Sequence, residues 1–126
     1  MSSSMPRILI VEDDEFIRES LTELLSEEGY DIVTACEGQE GLDKLRQAGN
    51  FALVLLDLMM PVKDGFAFRR EQRAEPHLAH IPVIIFSADT SIGHRHPEFE
   101  GATLLSKPAE LELLLAAISA AITATP

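Results

Sequence analysis

Cysteines, basic side chains and long apolar runs are scarce in this 126-residue chain, and each shortage closes off a class of function. The single cysteine, Cys36, has no second thiol to pair with, which removes an internal disulfide framework. Ten Lys and Arg stand against 21 Asp and Glu, leaving a formal charge of −11. Nucleic acid and anionic membrane surfaces attract basic patches, so direct nucleic-acid binding is not expected, whereas cations and basic partners are favoured. No apolar run approaches the ~20 residues that span a bilayer. MSSSMP at 1–6 has neither the basic start nor the apolar core of a signal peptide. A cytoplasmic protein without membrane insertion is expected, with residues 1–6 as a disordered tail and 7–123 as one domain, since the length suits a single core.

Alternation of apolar runs with amphipathic stretches is what the chain does have. At its centre lies FALVLLDLMMPVKDG, residues 51–65, in which six apolar residues without helical spacing end in Asp57 and a Pro-x-x-Asp-Gly turn. This is the pattern of a strand covered on both faces. Similar strands are expected at RILIV (7–11), YDIVTA (30–35), VIIF (83–86) and 102–105. Between them, Ile17, Leu21, Leu24 and Leu25 mark one helix, with Asp13 or Asp14 as its cap and Gly29 as its stop. Leu42 and Leu45 mark a second helix over 39–47, in which Gly41 costs about 1 kcal/mol relative to Ala. A third is expected over 65–74, where Gln72 falls on a position that the stripe from Phe68 would fill with an apolar residue. Pro76 and Pro82 bracket a loop. The 89–101 segment holds at most a short helix before Pro97, and a last helix from Pro108 to about Ile122 carries Leu111, Leu114, Leu115 and Ile118 on one face.

Five strands separated by helical segments predict an α/β domain with a parallel sheet. Ligands of open sheets of this kind bind outside the carboxyl ends of the strands. Glu12 and Asp13 follow the first strand, Asp57 the third, Ser87 the fourth and Lys107 the fifth, so all share that edge. If the strand order is 2-1-3-4-5, the three acids lie together. Crowded carboxylates repel, and a hard divalent cation, Mg2+ with Mn2+ as the alternative, relieves them. Lys107 and Ser87 are groups suited to the oxygens of a phosphoryl group, and Asp57 between them is a candidate carboxylate nucleophile.

The segments ILIVEDD (8–14), LLDLMMPVKDG (55–65), PVIIFSA (82–88) and LLSKP (104–108) make the chain resemble a receiver domain of two-component response regulators, of the stand-alone type, over about Arg7 to Ile122. The resemblance implies a flavodoxin-like (CheY-like) doubly wound five-stranded sheet of order 2-1-3-4-5, here with a shortened or irregular fourth helix. It implies Asp57 as phosphoacceptor, with Glu12, Asp13, Asp57 and the backbone carbonyl of Met59 holding the metal, Ser87 as switch hydroxyl and Lys107 as the phosphoryl contact. A sensor histidine kinase or histidine phosphotransfer protein would be the donor, and an unidentified partner protein the target. Such a domain promotes its own phosphorylation and dephosphorylation but turns over no separate substrate. Leu104 stands where many members carry an aromatic side chain, so signalling is expected to work through Ser87 and the 89–101 segment without an aromatic switch.

The alternatives are a degenerate receiver acting as a phosphorylation-independent interaction module, a fragment of a hybrid histidine kinase, and a small-molecule phosphotransferase or phosphatase with an aspartyl nucleophile. The last usually needs a cap domain. His94 and His96 lack a third ligand and read as exposed, and Cys36 reads as a small residue after a strand.

Overall fold

Strands that are apolar at every position need cover on both faces, and helices packed on each side of a parallel sheet supply it. The computed structural model describes residues 5–48, 50–58, 60, 62–87, 101–107 and 111–124. Strands β1 (Arg7–Val11), β2 (Asp31–Ala35), β3 (Leu53–Leu56), β4 (Val83–Ser87) and β5 (Thr103–Ser106) form one sheet in the expected order, β2-β1-β3-β4-β5, all parallel. Val11 pairs with Ala35 on one side and Leu56 on the other. The residues that follow β1 and β3 therefore emerge side by side.

Successive strand residues face opposite layers. Ile8, Ile10, Leu53, Leu55, Ile84 and Phe86 pack with Leu21 and Leu25 of α1 (Glu15–Glu27) and with Leu114 and Ile118 of α5 (Leu111–Ala124). Leu9, Val11, Val54, Leu56 and Ile85 pack instead with Leu42 and Leu45 of α2 (Gly38–Ala48), Phe68 of α3 (Gly65–Ala74) and Leu78 of α4 (Pro76–Ala79).

Several sequence expectations are corrected. The stretch between Pro76 and Pro82 opens with the one-turn helix α4, which has Pro76 at its first position and buries Leu78 completely. Gln72 is fully buried as well. Its amide donates to the carbonyls of Leu78 and Ile81, both at 3.0 Å, and accepts from Arg69 at 2.9 Å, so it ties α3 to the chain entering β4. Leu24 and Leu111 lie on the outer sides of their helices, 39% and 40% exposed. Strand β5 falls slightly later than expected, at 103–106, and α5 continues past Ile122 to Ala124, while the expected start of that helix at Pro108 lies outside the described residues. Gly41 is a close-packing residue: a Cβ there would sit 2.9 Å from a Val11 methyl and 3.0 Å from the Phe68 ring. The 89–100 part of the expected fourth-helix segment, with His94 and His96, lies outside the described residues, as do Pro108 and Ala109.

Candidate functional site

Because all five strands run the same way, their carboxyl ends form one edge, and the backbone there is tightly tied. The amide of Glu12 donates to Ala35 O at 3.0 Å, and that of Asp57 to Val11 O at 3.0 Å. Lys107 N donates to Ser87 O at 2.8 Å. The turn after Asp57 closes through Gly65 N to Leu58 O at 2.9 Å. A Cβ on Gly65 would lie 2.6 Å from Asp57 O, so only glycine allows this approach.

Glu12, Asp13 and Asp57 each offer a carboxylate oxygen within 4.8 Å of the others. Glu12 and Asp57 are buried and Asp13 is exposed, which leaves the cluster one face open to solvent. Lys107 Nζ lies 2.6 Å from Glu12 Oε1 and 3.5 Å from Asp57 Oδ1, and 5.5 Å from the centroid of the Phe86 ring beneath it. The other Glu12 oxygen accepts from Asp14 N at 3.2 Å. Asp14 itself caps α1 through Ile17 N at 3.0 Å, and Asp64 caps α3 through Ala67 N at 3.0 Å, so neither joins the cluster. Ser87 is buried at the end of β4, whose neighbour β5 leads into Lys107. The expected Met59 carbonyl ligand lies outside the described residues.

Burial, and after it the charge of Glu12, pushes the Asp57 carboxyl up to about 6 against the pull of Lys107; Asp13 and a hydrogen bond to Glu12 add to the rise. A hard cation with oxygen ligands relieves that strain. The donor set fits one: three carboxylates from two loops, one solvent-facing, with a single lysine to offset them.

A family model described as "Response regulator receiver domain" matches residues 8–119. The chain belongs to the response regulator receiver family. The receiver is 38% identical over 117 residues to response regulator RR06 of Streptococcus pneumoniae, covering 91% of this chain and 52% of that protein. It thus spans about half the length of the curated relatives it matches. Among solved structures, it superposes on a sensor protein from Polaromonas sp. with a TM-score of 0.89 at 26% identity, covering 98% of this chain and 100% of that one. It also superposes on response regulator TrrA of Thermotoga maritima in complex with Mg2+-BeF, with a TM-score of 0.84 at 32% identity, covering 93% and 99%. CheY-like receivers are among its structural neighbours, which fits the strand order.

Two features of the receiver's site were missed in the sequence. Arg18 of α1 donates from Nη1 to Glu12 O at 2.9 Å and reaches Asp13 O at 3.5 Å. The signal for it is a basic residue in a first helical turn, where the helix dipole disfavours it. Phe86 beneath Lys107 is the other, and only the strand register reveals it. Cys36 is exposed, and its thiol donates to Glu40 Oε1 at 3.1 Å. That hydrogen bond, more than its slight burial, raises the thiol above its ordinary range and keeps it protonated, which suits a structural residue.

Proposed function

We propose that this domain accepts a phosphoryl group on Asp57 from a phosphohistidine of a sensor kinase or phosphotransfer protein and signals through a partner protein. The observation that carries this reading is the convergence of the Glu12, Asp13 and Asp57 oxygens within 4.8 Å, beside an ammonium 3.5 Å from Asp57. An Asp57 oxygen attacks phosphorus as the P–N bond breaks. The imidazole leaves with the bonding electrons and takes up a proton, and an aspartyl-phosphate remains. Mg2+, held by Glu12, Asp13, Asp57 and the Met59 carbonyl, supplies charge neutralisation for the phosphoryl oxygens when bound. Lys107 leaves Glu12 to bind a phosphoryl oxygen, and Ser87 at the end of β4 offers its hydroxyl to another.

The functional unit is taken as 7–123. Among the described residues no helix is long and apolar enough to cross a membrane, and the cytoplasm is the proposed compartment. The similarity to a structure described as a sensor protein supports a second reading, in which the same domain works as the receiver of a hybrid kinase. The chemistry at Asp57 is the same in both. Calorimetric titration with beryllofluoride tests the site: binding is expected only when Mg2+ is present and is expected to vanish in Asp57→Asn. Equal binding without Mg2+, or by Asp57→Asn, would contradict it.

A further inference from the structure

Asp13 differs from the other two acids of the pocket in how it is held. Glu12 is buried and bonded to Asp14 N and Lys107, and Asp57 sits at a strand end next to Lys107. The Asp13 side chain is exposed, and among the described residues no hydrogen bond holds its carboxylate. The backbone alone therefore sets where that carboxylate stands. Two groups hold this backbone: Ala35 O accepts the Glu12 amide at 3.0 Å, and Arg18 Nη1 donates to the carbonyls of Glu12 and Asp13.

Arg18 is an unusual residue for its place. It lies four residues into α1, where a positive charge opposes the helix dipole. Among the described residues it forms no ion pair, and its recorded side-chain bonds go to backbone carbonyls. Nor is it held by burial. With Glu19, Thr22, Glu23 and Thr34 it borders a solvent-open groove of about 390 Å³, so the hydrogen bonds to the two carbonyls are what hold it.

We infer that Arg18 is a positioning residue for metal binding: its Nη1, donating to the carbonyls of Glu12 and Asp13, fixes this peptide segment so that the exposed Asp13 carboxylate is presented to the cation. The inference rests on the reading of the acid cluster as a metal site. Partners of this kind, which orient a ligand without touching the metal, typically contribute about 10- to 100-fold in metal affinity. Lysine keeps the charge, but its shorter, flexible stem does not place a donor where the rigid guanidinium holds Nη1 against both carbonyls.

The test is calorimetric titration of the full chain with MgCl2 near neutral pH, for wild type, Arg18→Ala and Arg18→Lys, with circular dichroism to establish folding. Since Arg18 borders an open groove, its removal leaves no sealed cavity and both variants are expected to fold. Arg18→Ala should weaken Mg2+ binding by about 10- to 100-fold, and Arg18→Lys by several-fold, while the metal-free melting temperatures stay close to wild type. A folded Arg18→Ala that binds Mg2+ within about twofold of wild type would overturn the proposal. If Arg18→Ala does not fold, Arg18→Lys decides: affinity equal to wild type would mean that the placement of the guanidinium nitrogen is not needed and would overturn the proposal. A wild-type chain that binds no Mg2+ at millimolar concentration would remove the acid-pocket reading itself, and Arg18's role with it.

Discussion

Lys107 is held by Glu12 more closely than by Asp57, at 2.6 Å against 3.5 Å. The ammonium thus pairs with a carboxylate of the acid cluster proposed to hold the cation. Lys107→Ala is expected to tighten Mg2+ binding by about 3- to 10-fold, since the cation no longer competes for Glu12 or meets a positive charge beside it. The same variant should form the Asp57 adduct more slowly, because the proposed phosphoryl contact is lost. Titration with MgCl2 checks the first effect, and an unchanged or weaker affinity would mean that the Lys107–Glu12 pair does not gate the site.

The raised Asp57 carboxyl makes stability depend on pH. Its folded value of about 6 lies above the ordinary 3.8, so between these two values the folded protein holds a proton that the unfolded chain has already lost. The stability linked to that proton is full below 3.8 and is lost as the pH rises through about 6, on the order of 2–3 kcal/mol. Urea unfolding without metal should therefore show wild type weakening across this window, and Asp57→Asn should lack that component and be more stable than wild type at neutral pH. A wild-type profile that rises over the same window, and keeps that rise in Asp57→Asn, would contradict the assignment.

Mg2+ should raise the melting temperature of the chain because it binds the folded acid cluster preferentially. At a concentration a hundred times its Kd the stabilisation is about 2.7 kcal/mol. Asp13→Asn removes the solvent-facing carboxylate and should shrink the shift at a given Mg2+ concentration. Differential scanning calorimetry with and without MgCl2 measures both.

Gly41 provides a test of packing against helix propensity. Propensity alone has Gly41→Ala stabilising by about 1 kcal/mol. The added Cβ would meet Val11 at 2.9 Å and Phe68 at 3.0 Å, both completely buried, so overpacking should dominate and destabilise by about 1–2 kcal/mol. Chemical denaturation gives the sign directly.

Strands β1, β3 and β4 were readable because burial on both faces leaves an apolar run with a polar residue at its end. Glu12, Asp57 and Ser87 are those end residues. The strand order, and hence the meeting of Glu12 and Asp13 with Asp57, is implied by the family resemblance, and the sheet has that order. Helix α4 leaves no signature in the sequence because one turn with a single buried leucine has no periodicity. Gln72 breaks the apolar stripe in the sequence because its partners, the Leu78 and Ile81 carbonyls, come within reach only once that turn has formed. Arg18's carbonyl bonds and Lys107's closer approach to Glu12 are set by three-dimensional geometry that spacing does not encode.

The most direct test of the central claim is intact-mass spectrometry of the chain after incubation with Mg2+ and acetyl phosphate, with the adduct located by peptide mapping after borohydride trapping. A single labile phosphoryl group on the peptide containing Asp57, absent from Asp57→Asn and from samples treated with chelator, is the predicted result. A stoichiometric adduct that persists in Asp57→Asn, or no adduct on a folded wild-type chain with Mg2+ bound, would contradict it.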